Sequence, residues 1–156
     1  MKLAKKIVSI ILLILAIAQF FGPDKNNGEL ASLSPFIAET KPSEAVHGLL
    51  KEACFDCHSN KTNYPWYASI TPLNFWLSHH IQEGKEELNF SEWSNYSLKK
   101  KEHKMEEVWE EIKKHKMPLE SYANIHEEAR FSEVEKQLII DWAKEVQTTY
   151  KNELAN

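Results

Sequence analysis

Four stretches of the chain repeat apolar residues at intervals of three and four positions, which is the spacing of an amphipathic helix. The first stretch begins at Ser43, a residue type that favours the N-cap position. The second begins at Thr71 and Pro72, an N-cap and a first-turn proline, and Gly84 predicts its end. The apolar faces contain Val46, Leu49, Leu50, Ala53, Cys54 and Cys57 in the first stretch, and Leu73, Trp76, Leu77, His80 and Ile81 in the second.

The third and fourth stretches lie in the C-terminal half of the chain. The third runs from about Ser97 to His115, and Pro118 marks the turn after it. The fourth opens with a capping box that pairs Ser132 with Glu135. No stretch alternates β-branched and polar residues as a half-buried strand does, so the sequence predicts an all-α domain. The apolar faces contain Met105, Val108, Trp109 and Ile112 in the third stretch, and Val134, Leu138, Ile139 and Trp142 in the fourth.

The N-terminus carries an apolar run that is not amphipathic. Residues 7–21 are almost entirely apolar and follow three lysines, Lys2, Lys5 and Lys6, which is typical of an export signal. The run is near the shortest length that spans a bilayer, and the lysines favour a cytoplasmic N-terminus. We therefore expect residues 1–21 to form a hydrophobic helix that anchors an exported domain to the inner membrane, on its periplasmic side. Cleavage after Ala18, which would release a soluble periplasmic protein, is the alternative.

The remainder of the chain divides into a linker and one domain. Residues 22–42 have few periodic apolar positions and are rich in turn-forming residues at their start, which predicts a linker. At 156 residues with 42% hydrophobic content, the chain is long enough for one modest core and too short for two. We therefore assign residues 43–150 to a single domain.

Acidic residues outnumber basic ones beyond the apolar N-terminus. Residues 22–156 contain 16 Lys and Arg against 23 Asp and Glu. Because the phosphate backbone of nucleic acid is itself negative, this balance argues against nucleic-acid binding. It is compatible with docking to a protein partner that has a basic face.

Both cysteines of the chain fall in the motif Cys54-Phe55-Asp56-Cys57-His58, the C-x-x-C-H pattern of c-type haem attachment. Thiols three residues apart lie about one helical turn from each other, so they can reach two vinyl groups on one edge of a porphyrin. The adjacent imidazole can then bind the iron. The motif predicts one covalent haem c, held by thioethers from Cys54 and Cys57, with His58 as the proximal iron ligand.

Three other interpretations of the two cysteines stay open. A thioredoxin-like redox pair has the same spacing, although it belongs in a βαβ context that the helical pattern does not supply. Two cysteines and two histidines would satisfy tetrahedral zinc, which would make the chain a zinc-stabilised binding module. A structural disulfide is the third interpretation.

A haem electron carrier also needs a distal iron ligand. Met117 lies in a loop just after the third helix, where a thioether can face a buried metal. Met105 falls on the apolar stripe of that helix and is interpreted as core. His80, on the inner side of the second helix, and His126, shortly before the last helix, are the alternatives. We favour ligation by a histidine and Met117 over ligation by two histidines.

Aromatic residues are abundant for so small a core, with five tryptophans in the chain. Flat apolar rings exclude water from a haem pocket and disfavour charge on the iron. Trp66 and Trp76 are the candidates for pocket walls, with a place in the general core as the alternative for each.

The order of these motifs resembles the bacterial haem-binding domain family, a variant of class I cytochrome c that is common in Bacteroidetes-type bacteria. The likeness covers roughly residues 43–146. It implies a small cytochrome c-like helical domain around one covalent haem, with Cys54 and Cys57 as attachment sites, His58 as proximal ligand and Met117 as distal ligand. It is carried by C-x-x-C-H at 54–58, Tyr64-Pro65-Trp66-Tyr67, Trp76, His80, Gly84-Lys85, residues 88–93, Met117-Pro118-Leu119, Tyr122, His126 and Trp142.

The primary functional prediction is an electron-transfer module with six-coordinate iron and a protein redox partner. No second catalytic constellation in the sequence argues for an enzyme. The rival prediction is a five-coordinate haem sensor or peroxidase-like enzyme, which requires that Met117 not bind the iron.

Overall fold

The computed structural model describes residues 2–156, and within that range its only β contact is an isolated antiparallel bridge between Asn27 and Lys61. The prediction of an all-α domain is confirmed. Short 3-10 helices span Leu30–Leu33, Trp66–Ser69, Phe90–Asn95 and Glu127–Ala129. The α-helices are α1 (Lys2–Ala18), α2 (Ser34–Thr40), α3 (Glu44–Ala53), α4 (Phe55–His58), α5 (Leu73–Glu87), α6 (Leu98–Lys113), α7 (Glu120–Ala123) and α8 (Glu133–Ala155).

Helices α6 and α8 form the most extensive helix pair, and α3 packs against α8. Side-chain caps start these helices as the sequence predicts: Ser43 accepts from the Val46 N–H, and Ser132 and Glu135 form a full capping box. The main core lies between these helices, α2 and the segment around Phe90. Its largest fully buried side chains are Trp93, Phe36, Phe90, Leu50, Met105 and Ile139.

The helix that carries the cysteines is broken within the C-x-x-C-H motif. Helix α3 ends at Ala53, Cys54 adopts φ −118°, and α4 covers the four residues Phe55–His58. The sequence predicts one continuous stripe here because the apolar spacing is unbroken. The buried Phe55 side chain packs edge-on against Phe36 and Phe90, so tertiary contacts determine the direction of α4.

Helix α8 buries a different stripe from the one predicted. Val134 and Leu138 are 72% and 43% exposed, whereas Ile139 and Trp142 are buried as expected. In an α-helix, residues four positions apart are rotated from each other by about 40° around the helix axis. The row of residues from Trp142 back through Leu138 to Val134 therefore leaves the buried face. The stripe continues instead toward the C-terminus through Ala143, Val146 and Tyr150.

Part of the stretch predicted to be a linker is folded. Residues 30–40 form a 3-10 helix and α2, and Leu33 and Phe36 are buried in the main core. Further upstream, the Gly28 N–H donates to the Asn60 carbonyl at 2.6 Å. The segment has few apolar residues, but Phe36 alone contacts four other aromatic rings, which a periodicity analysis does not weigh.

The apolar N-terminal run forms helix α1, whose side chains are exposed along almost its whole length. No helix within residues 2–156 has the length and apolar character needed to cross a membrane. The localisation predicted from this segment, an inner-membrane anchor with the domain in the periplasm, is therefore contradicted. The helix ends at Ala18, before Phe20 and Phe21, and its 17 residues rise only about 26 Å, against the ~30 Å of a bilayer core.

Candidate functional site

A cavity of about 300 Å³ opens between α3, α4 and α6 and is closed on one side by the residues after α6. Three of the residues singled out by the sequence line it: Cys54, His58 and Met117. The structure therefore gathers groups that lie about 60 residues apart along the chain. The other walls are mainly apolar and include Leu50, Leu88, Phe90, Val108, Ile112 and Phe131.

His58 is held in one orientation and one tautomer. Its Nδ1 lies 2.8 Å from the Gly84 carbonyl oxygen and 2.9 Å from the Leu88 carbonyl oxygen. Because carbonyls only accept hydrogen bonds, Nδ1 carries the proton, and Nε2 has a free lone pair. Burial lowers the pKa of His58, which favours the neutral ring. A neutral imidazole whose other nitrogen donates to a carbonyl is the usual state of a histidine that binds a metal.

Gly84 allows α5 to approach the C-x-x-C-H motif closely. A Cβ at this position would lie 2.9 Å from the Cys57 carbonyl oxygen and 3.1 Å from the Cys57 Cβ. The sequence predicts that Gly84 ends the helix, but α5 continues to Glu87. The glycine is therefore a contact point, and it places its own carbonyl within reach of His58.

We expect Gly84→Ala to lower the free energy of unfolding by about 1–2 kcal/mol, because overpacking against backbone costs more than the alanine gains in helix propensity. Gly48→Ala is the matched control, since Gly48 lies inside α3 with no atom within 4 Å of an added Cβ. That variant should be stabilised by about 0.5–1 kcal/mol. Urea unfolding of both variants measures the difference, and equal stabilisation would contradict the role assigned to Gly84.

Met117 reaches the cavity from a tight turn at the end of α6. His115 adopts a left-handed conformation with φ 56°, which reverses the chain. The N–H groups of Lys116 and Met117 then both donate to the Glu111 carbonyl, at 2.9 Å and 3.2 Å. The turn therefore holds the thioether beside the end of the helix, in the cavity that His58 lines.

The two histidines considered as alternative distal ligands do not line this cavity. His80 packs edge-on against Trp76, with 4.6 Å between ring centroids, and lies 3.5 Å from Glu83. Both ring nitrogens of His126 are engaged, Nε2 with the Tyr67 hydroxyl at 2.9 Å and Nδ1 with Glu128 at 3.0 Å. Of the three candidates, the structure brings only Met117 together with His58.

The two cysteines are free thiols with different surroundings. Cys54 lines the cavity, whereas Cys57 packs against a smaller cluster formed by Tyr67, Ala68, Leu77 and Ile81. Burial raises the pKa of Cys54 to about 12 and that of Cys57 to about 11. Redox-active C-x-x-C pairs have lowered thiol pKa values, so these thiols do not have the properties of a thioredoxin-like site. Among residues 2–156 no group of three or more His, Cys, Asp or Glu side chains is arranged to hold a metal ion.

Neither tryptophan proposed as a pocket wall borders the cavity. Trp66 is 77% exposed, and Trp76 packs against the smaller cluster. The aromatic walls are Phe90 and Phe131 instead. Trp66 and Trp76 were selected by residue type, and the sequence does not show which elements face the cavity. For Phe90 the sequence did offer a signal, because Phe90 falls within the family motif at residues 88–93.

Three carboxylates that the sequence analysis did not select also line the cavity: Glu87, Glu107 and Glu111. A signal was present for two of them, since Glu107 and Glu111 directly precede apolar residues of the α6 stripe. Each of these two is paired with a lysine, Glu107 with Lys104 and Glu111 with Lys116. One side of the cavity therefore carries three carboxylates, two of which are ion-paired.

Comparison with protein families identifies one match. The model of a family described as a haem-binding domain matches residues 13–145, which includes the folded part of the predicted linker. Searches among curated proteins and among solved structures found no significant match.

Proposed function

We propose that this chain, which belongs to the haem-binding domain family, carries one haem c on Cys54 and Cys57, with His58 and Met117 as axial ligands, and transfers electrons. Family membership supports haem binding. The finer assignments rest on one observation: Cys54, His58 and Met117 line the same cavity.

The residues of the cavity fit a haem. Its walls are largely apolar, as a porphyrin requires, and the neutral His58 ring offers its Nε2 lone pair. The thioether of Met117 is a second donor in the same cavity. Attachment through Cys57 requires its sulfur to turn from the smaller cluster toward the cavity.

A bound haem supplies a one-electron couple between ferric and ferrous iron. The hydrogen bonds from His58 to Gly84 and Leu88 orient its ring and make it a stronger donor. Met117 favours the reduced state, and the apolar walls exclude water and raise the cost of charge. With the iron held by both His58 and Met117, no ligand position would be left for a substrate, which is why we propose an electron carrier and not an enzyme.

The negative charge balance of the chain supports a redox partner with a basic face. Residues 22–156 contain 16 Lys and Arg against 23 Asp and Glu, and three of these carboxylates, Glu87, Glu107 and Glu111, line one side of the cavity. This negative balance would attract a partner protein with a basic face and speed its association at low ionic strength.

Haem staining after denaturing electrophoresis tests the cofactor assignment. The full chain, produced with a cytochrome c maturation system, should retain the stain because thioethers survive denaturation, and chain produced without that system should not stain. The absorption spectrum of the ferric, haem-stained protein should also contain a methionine-to-iron charge-transfer band. Unstained protein with two alkylatable thiols would contradict covalent attachment, and a high-spin ferric spectrum without that band would favour the five-coordinate sensor or peroxidase.

A further inference from the structure

The segment that carries Met117, residues 117–130, returns across the C-x-x-C-H motif after leaving α6. It contains α7 and the 3-10 helix Glu127–Ala129. Arg130 donates from Nε to the Ala123 carbonyl at 2.7 Å and from its guanidinium to the Asn124 carbonyl at 2.9 Å. These bonds tie the end of the segment to α7.

One hydrogen bond attaches this segment to the C-x-x-C-H motif itself. The Tyr122 hydroxyl donates to a carboxylate oxygen of Asp56 at 3.3 Å, and Asp56 lies between the two cysteines. The other oxygen of Asp56 accepts from the Asn63 N–H at 2.9 Å, which anchors the carboxylate. Through Tyr122, the position of the Met117 segment is tied to the attachment motif.

A second hydrogen bond attaches the segment to the chain that follows the motif. Nδ1 of His126 donates to the Glu128 carboxylate, so its Nε2 accepts from the Tyr67 hydroxyl at 2.9 Å. Tyr67 is only 4% exposed and belongs to the smaller cluster that also holds Cys57. The Tyr122 and His126 rings stack with 4.1 Å between their centroids and 14° between their planes. This stacking connects the two hydrogen bonds into one cluster.

We propose that Tyr67 and Tyr122 are positioning residues that hold Met117 in the cavity that His58 also lines, and that they would thereby set the coordination number of the iron. This inference rests on the proposed function, because it needs Met117 as the distal ligand. In both tyrosines the hydroxyl group makes the hydrogen bond, and phenylalanine keeps the ring. Replacing each tyrosine by phenylalanine should therefore free the segment without leaving a cavity in the core.

Tyr67→Phe, Tyr122→Phe and the double variant test the proposal in haem-loaded protein. Staining should be unchanged, because the cysteines are intact. Binding of imidazole to the ferric iron requires Met117 to leave, so its rate should rise about fivefold in each single variant and about 25-fold in the double variant, as expected for one and two hydrogen bonds. The methionine-to-iron band should weaken in the same order.

Tyr64→Phe is the matched control. It also removes one hydroxyl from this region, but the Tyr64 hydroxyl accepts from the Asn26 N–H at 2.6 Å and makes no hydrogen bond to residues 117–130 within the described chain. Its imidazole rate should equal that of the unsubstituted protein. Should the double variant fail to fold, the two single variants carry the test.

Amide hydrogen exchange in the unloaded chain separates this inference from the proposed function. Exchange in residues 119–126 should be faster in both Phe variants than in Tyr64→Phe. Imidazole rates equal to the control in loaded protein, or equal exchange where no haem can be loaded, would overturn the positioning role. Absence of haem staining in the unsubstituted protein would instead overturn the proposed function, and the exchange result would still decide whether the hydroxyls hold the segment.

Discussion

Replacing Cys54 and Cys57 together by serine is expected to reduce covalently bound haem from about one per chain to none. Each thioether is an independent covalent bond, so Cys54→Ser and Cys57→Ser alone should keep haem staining, at lower yield. One vinyl group then remains unsaturated and extends the conjugation of the ring, which shifts the reduced pyridine haemochrome band to longer wavelength. Staining intensity per chain and the position of that band measure the number of thioethers.

The two single variants also test the different surroundings of the sulfurs. Cys54 already lines the cavity, whereas Cys57 packs against the smaller cluster. If Cys57→Ser left the haemochrome band where it is in the unsubstituted protein while Cys54→Ser abolished staining, only Cys54 would be attached. Staining that persists in the double variant would refute attachment through this motif altogether.

Met117→Ala should convert the iron from six-coordinate low-spin to high-spin and remove the methionine-to-iron charge-transfer band. Loss of the thioether also removes its preference for ferrous iron, so the reduction potential should fall by on the order of 0.1 V. Carbon monoxide should bind the reduced protein faster, because the distal position is open. Absorption spectra and potentiometry measure these changes.

Met105→Leu is the control for this substitution. Met105 is a fully buried methionine of the main core and does not line the cavity. Leucine is close to it in volume, so the change should cost under about 1.5 kcal/mol of stability and leave the spectrum unaltered. A spectrum that is equally unaltered in Met117→Ala would rule out Met117 as a ligand and favour the five-coordinate sensor or peroxidase.

Features that depend on short stretches of chain were predictable from the sequence. The predicted N-terminal ends of three helices, at Ser43, Ser97 and Ser132, are confirmed. They could be predicted because a capping hydrogen bond spans only three residues. The stripe of α6 is confirmed for the same reason, since its period is set within one helix: Met105 and Ile112 are buried, and Val108 and Trp109 are partly buried.

Features that depend on which elements meet were not predictable in the same way. Gly84 has the residue type of a helix end, but it lies inside α5, where it contacts Cys57, 27 positions earlier. Trp66 has the residue type of a pocket wall, yet its 3-10 helix turns it to solvent. Residue type indicates which roles a side chain can take, and the neighbours brought by the fold select one.

By itself the sequence determined the all-helical class and the motif of two thiols and an imidazole, because both are properties of consecutive residues. Only the tertiary structure decided that Met117 shares a cavity with His58 and that His80 and His126 do not. The physical reason is the same in each case: distances between residues far apart in the chain follow from packing, which local patterns do not encode.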